Sequence, residues 1–215
     1  MRYIKSFSTF EGISITDYSA PKLERTKQLS EEEFLKVLKE KCKNFSFTND
    51  LLWRNKIKKF DLELFTPDYR NASALAFPKF FNKIETDPNY PVVRKKSLIG
   101  GTNNDAIKQL VGFDNYLVIP FDNSEIVFAP IVDLWAMDDD RRQKSELVNK
   151  EPVSDKHFVK ATYTKNFEIP SNELESIRNK FGIKGGIKHG YEFFTSSPCL
   201  LVHESKIDWL RNSNY

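Results

Sequence analysis

Two β-rich runs, Tyr116-Leu117-Val118-Ile119-Pro120-Phe121 and Glu125-Ile126-Val127-Phe128-Ala129, stand on either side of the polar triplet Asp122-Asn123-Ser124. Runs of this length, rich in β-branched and aromatic residues and split by turn formers, read as the two arms of a hairpin. More strand follows at Phe158 to Tyr163 and at Glu192 to Val202. Earlier in the chain, Leu51-Leu52-Trp53 reads as a short strand ending in Arg54, and Val92-Val93 begins one that runs towards Ser97. A sheet with this many short strands needs helices to cover its apolar faces.

The clearest helix opens at Ser30-Glu31-Glu32-Glu33, where Ser30 suits the N-cap and Glu33 the reciprocal partner of a capping box. Phe34, Leu35, Leu38 and Cys42 then recur at helical spacing, so one face meets a core. Thr66-Pro67 offers a second helix start, with proline at the first helical position, and Pro78 interrupts any helix through Phe77, Phe80 and Phe81. A third helix begins at Ser171 and runs to Phe181, stopping at Gly182. Gly100-Gly101-Thr102-Asn103-Asn104 reads as a turn into a short helix that ends near Gly112, and 138–156 as an exposed charged loop. Helices and strands do not alternate regularly. The expectation is an α+β fold with largely antiparallel sheets and flanking helices, residues 1–29 forming an arm and 30–215 a single domain.

Composition narrows the roles open to such a domain. The 215 residues are 40% apolar and include 18 Phe, 8 Tyr and 3 Trp, ample for a core. Thirty-three basic against thirty acidic side chains leave a net charge of +3, which permits phosphate-bearing partners without implying them. Cys42 and Cys199 stand far apart with no clustered companions, so no zinc site is expected, and both read as buried, reduced thiols. No apolar run approaches the roughly 20 residues that span a bilayer, and the expected setting is cytoplasmic, away from membranes.

The common catalytic signatures are absent: no P-loop, Rossmann glycine fingerprint, Gly-x-Ser-x-Gly elbow or His-Glu-x-x-His. His157, His189 and His203 are scattered and read as structural, and Asp138-Asp139-Asp140 as a solvated acidic turn. Three other residues make a pattern. Arg54 closes Leu-Leu-Trp-Arg-Asn, Ser97 lies in Arg94-Lys95-Lys96-Ser97-Leu98-Ile99-Gly100-Gly101-Thr102, and Glu192 begins Glu-Phe-Phe after a glycine-rich loop.

An arginine, a serine and a glutamate on successive strands resemble the mono-ADP-ribosyltransferase toxins and their phage relatives. The segments from Asn115 to Phe121 and from Phe128 to Trp135 are likewise similar to a group of tailed-phage proteins. The resemblance spans about residues 50 to 205 at motif level. It implies an ADP-ribosyltransferase-like fold in which Arg54, Ser97 and Glu192 meet in one cleft. NAD would be the substrate, Arg54 holding its phosphates and Ser97 supporting the nicotinamide pocket. Glu192 would be the catalytic carboxylate, steadying the oxocarbenium-like centre as nicotinamide leaves. Gly100-Gly101 and Gly185-Gly186 would let backbone approach the ligand, and Thr102 is counted with Gly100 and Gly101 among the residues that bind NAD.

Arginine-modifying members carry a second acid or amide two residues before the glutamate, where this chain has Gly190. The resemblance therefore does not imply transfer to arginine, and leaves open a nucleic-acid base, a different side chain of a host protein, or simple NAD hydrolysis. The resemblance also admits a catalytically inactive phage virion or host-binding protein of the same fold. A nucleic-acid-binding module is a third reading, from Lys56-Ile57-Lys58-Lys59 and Arg94-Lys95-Lys96 beside Trp53 and Phe60.

Overall fold

A computed structural model describes residues 26–56, 58–66, 97–104, 113–130, 155–181 and 190–213. The expected helix after Thr66-Pro67, the Phe77–Phe81 cluster, the Val92-Val93 strand, the Asp138 turn, Gly185-Gly186 and His189 lie outside these residues.

Among the described residues nine strands form one sheet: β1 (Thr26–Gln28), β2 (Leu52–Lys56), β3 (Leu62–Phe65), β4 (Leu98–Gly101), β5 (Asp114–Pro120), β6 (Glu125–Ala129), β7 (Val159–Thr162), β8 (Glu192–Thr195) and β9 (Cys199–His203). Their order across the sheet is β1-β3-β9-β5-β2-β4-β8-β6-β7, with every neighbouring pair antiparallel. Helices α1 (Glu31–Lys41), α2 (Ser171–Phe181) and α3 (Ile207–Asn212) complete a mixed α/β architecture dominated by antiparallel sheet.

Side chains on a strand alternate between faces, and the two faces carry two cores. Tyr116 and Val118 of β5 join Cys199 and Leu201 of β9 in a cluster that also takes in Leu174 of α2. Their neighbours Leu117, Ile119, Leu200 and Val202 point the other way, into a cluster with Phe34 and Leu38 of α1 and Leu210 of α3. Strands buried on both sides read as unbroken apolar runs, which is why these segments stand out in the sequence. Burying each of these large side chains contributes roughly 1.5–3 kcal/mol relative to exposure.

The α1 cap forms as its sequence predicts. Glu33 N–H donates to Ser30 Oγ at 3.2 Å and Ser30 N–H donates to Glu33 Oε2 at 2.9 Å. The boundary at residue 30 moves earlier, because β1 pairs with β3, Leu29 is buried, and Leu29 N–H donates to the Leu62 carbonyl at 3.0 Å.

The expected hairpin does not form. β5 pairs with β2 and β9, whereas β6 pairs with β7 and β8. The turn between them is anchored elsewhere: Asp122 N–H donates to the Lys41 carbonyl at the end of α1, at 2.7 Å. The Asp122 carboxylate accepts in turn from Asn44 N–H at 2.8 Å and Lys43 N–H at 3.0 Å. The chain is thereby tied to the helix end and its two arms diverge. Glu192 to Val202 likewise divides, with a break at Ser196-Ser197-Pro198, into β8 and β9, which have different partners. Gly100 and Gly101 lie within β4 and do not form a turn.

Cys42 caps the end of α1 and Cys199 begins β9; both are free and buried. Burial pushes the Cys42 thiol well above the ordinary range and that of Cys199 up to about 12, a nearby Arg54 opposing the latter. Because the thiolate is the reactive form, iodoacetamide at neutral pH should label both far more slowly in the native protein than in urea. Equal labelling rates in the two states would show that the thiols are accessible.

Candidate functional site

β2, β4 and β8 are neighbours, so the sheet brings together the strands associated with Arg54, Ser97 and Glu192. It does not bring the side chains together. Trp53 pairs with Gly101 and Gly101 with Glu192, which places these three on one face of the sheet. Arg54 is one residue further along and pairs with Tyr116. It therefore takes the opposite face, where its guanidinium lies 5.6 Å from the centre of the Phe65 ring. A single-residue step reverses the side to which a strand residue points.

Glu192 is buried, at 7% exposure, between Gly101 and Ala129 of the flanking strands. Ser97 is also buried and sits just before β4, its Oγ 3.4 Å from Ser196 Oγ. It falls on the Glu192 face, yet four residues separate it from Gly101, roughly 13 Å along a strand. The expected convergence of Arg54, Ser97 and Glu192 in one cleft is thus corrected by the register.

Gly100 has a packing role. A Cβ there would lie 2.5 and 2.7 Å from atoms of the Phe193 ring and closer still to the Trp53 carbonyl oxygen. Gly100 and Phe193 face each other across β4 and β8, and the ring occupies the space a side chain would need.

Thr102 does reach a cavity. Its N–H donates to the Tyr191 carbonyl at 2.9 Å and its Oγ1 accepts from Tyr191 N–H at 2.8 Å, extending the β4–β8 pairing beyond the strand ends. Gly190 turns the chain there with φ of 75°, a left-handed conformation that suits glycine. Against this corner lies an open cleft of about 440 Å³, lined by Thr102, Asn103 and Asn104, by Gly190 and Tyr191, and by Asp50, Ile169, Ser171 and Glu175 across from them. The far wall is fixed by Asp50, whose Oδ2 accepts from Ile169 N–H at 2.7 Å, and by α2, which starts at Ser171. Burial raises the Tyr191 phenol above its ordinary range, Glu175 adds to that, and Arg178 with Ser171 opposes it. Asp50, Asn104 and Glu175 carry no motif; only the glycine before Tyr191 and the helix start at Ser171 hint at a pocket in the sequence.

A second polar cluster closes the other end of the Arg54 face. Fully buried Glu63 pairs with Lys56, whose ammonium lies 4.7 Å from the centre of the Tyr116 ring. His203, read from the sequence as an isolated histidine, has defined partners. Its Nδ1 accepts from Ser205 N–H at 3.3 Å and lies 2.8 Å from Ser205 Oγ, so its Nε2–H donates to Asp114 Oδ1 at 3.3 Å. The ring thereby caps the turn after β9 and ties that strand to β5, an arrangement that is structural in kind.

Among the described residues no group of three or more His, Cys, Asp and Glu is arranged to hold a metal ion, and no helix is long and apolar enough to cross a membrane. No protein-family model, curated protein or solved structure matches the chain.

Proposed function

We propose that this chain acts by binding and not by catalysis, as a catalytically inactive phage virion or host-binding protein, the reading that its motif-level resemblance to the ADP-ribosyltransferases also admits. The observation that supports this reading is the register Trp53–Gly101–Glu192, which directs Arg54 and Glu192 to opposite faces. Transferase chemistry on NAD needs a cation at the diphosphate and a carboxylate at the ribose carbon of the same molecule. Both gain their effect from being aimed at one bound ligand. A sheet filled by two cores separates these two groups.

The transferase reading draws on one feature of its own, the burial of Glu192, next in sequence to Tyr191 of the cleft. One assay separates the two. Nicotinamide release from saturating NAD, with and without a host-cell lysate as acceptor, should not exceed the no-protein background for wild type or for Glu192→Gln. Release by wild type that falls on the order of 10²-fold or more in Glu192→Gln, the usual contribution of a positioned carboxylate, would establish the transferase and its NAD cofactor instead.

A further inference from the structure

We propose that the cleft between the end of β4 and the start of α2 is a site for an organic cation, an ammonium or guanidinium group. This goes beyond the proposed function and does not depend on Arg54 or Glu192. Its polar lining is weighted towards acceptors. Asp50 and Glu175 are carboxylates, and none of the lining residues is Lys, Arg or His. Asn104 Oδ1 is a buried acceptor with no hydrogen bond among the described residues. Tyr191 is buried, at 5% exposure, and its hydroxyl, next to Ser171, Glu175 and Arg178, makes no hydrogen bond of normal geometry.

A buried acceptor left unmatched is costly, and a guanidinium brings five donors and no acceptor, an ammonium three. Hydroxyl-rich neutral ligands would bring acceptors that this lining does not need, and phosphates would meet two carboxylates. Arg178, a cation whose charge acts on Tyr191, is buried and is not among the residues that line the cleft. The carboxylates stand on separate supports, Asp50 bound to Ile169 N–H and Glu175 one turn into α2 from Ser171. A cation between them therefore bridges two elements that are already fixed, which reduces the ordering cost of binding.

Such a group arrives either as a free small cation or as a side chain protruding from a protein. Calorimetric titration at low salt should show N-acetyl-arginine amide binding, and its uncharged isostere N-acetyl-citrulline amide binding at least about 10-fold more weakly. Glu175→Gln keeps the shape of a partly exposed side chain, and should weaken arginine amide by about 10-fold or more while melting temperature holds. Tighter binding of a Gly-Arg-Gly peptide than of spermidine would assign the site to a protein side chain, and the reverse order to a free polyamine. Citrulline binding as well as arginine, AMP outcompeting both, Glu175→Gln binding as tightly as wild type, or no measurable binding of any cation would overturn the proposal. None of these results depends on nicotinamide release, so the two readings fail separately.

Discussion

Replacing Lys56 by Met should lower the stability of this protein by about 3–5 kcal/mol, the usual cost of removing one partner from a buried ion pair. Lys56 reaches from β2 across the Tyr116 ring of β5 to Glu63 on β3, so one contact spans four adjacent strands. Burial holds the ammonium below the ordinary lysine range, opposed by its bond to Glu63. Glu63 has no exposed surface, and its second oxygen accepts from Phe60 N–H at 3.2 Å. Without the ammonium this carboxylate is left charged in the interior with only that bond. The double variant Lys56→Met, Glu63→Gln should recover most of the loss, because both charges are then gone. Urea unfolding of the three proteins measures it. A single variant within about 1 kcal/mol of wild type would show that the pair is solvated.

Gly100→Ala should cost about 3 kcal/mol, the upper part of the range for overpacked cores. The added methyl meets the Phe193 ring on one strand and a backbone carbonyl on the other, and the carbonyl cannot turn aside without breaking the β2–β4 pairing. Phe193 is fully buried, so its ring has little room to shift. A second substitution, Phe193→Leu, should relieve part of the Gly100→Ala defect, which an unrelated cause of instability would not do. Thermal unfolding of the two single variants and the double variant reads the outcome, and an unchanged melting temperature for Gly100→Ala would contradict the packing role.

What was legible from the residues was what local chemistry decides. The Ser30–Glu33 box, the apolar stripe behind it and the long runs of β5 and β9 carry their own signals, and the structure has them where the sequence indicates. Partners were not legible. Asp122-Asn123-Ser124 has the composition of a hairpin turn, but its carboxylate is taken by two amides some 80 residues earlier, 79 and 78 positions away. No local pattern records that competition. The face on which a strand residue lies depends on register, and Arg54 and Glu192 illustrate the consequence: their strands are close, while one residue of offset separates their side chains. The cleft was the least visible feature. Asp50, Asn104, Glu175 and Tyr191 come from four segments joined only by the folded sheet and α2.

The separation of Arg54 from Glu192 underlies the functional account, and a double-mutant cycle on stability tests it without any ligand. Two strand spacings and one residue of offset put their Cα atoms about 10 Å apart, with side chains on opposite faces. Groups at that distance on opposite faces of a sheet are expected to act independently. The free energies of unfolding for Arg54→Ala, Glu192→Gln and the double variant should therefore add to within about 0.5 kcal/mol. A coupling energy above about 1 kcal/mol would mean that the two charges share one environment, and would return both to a common site.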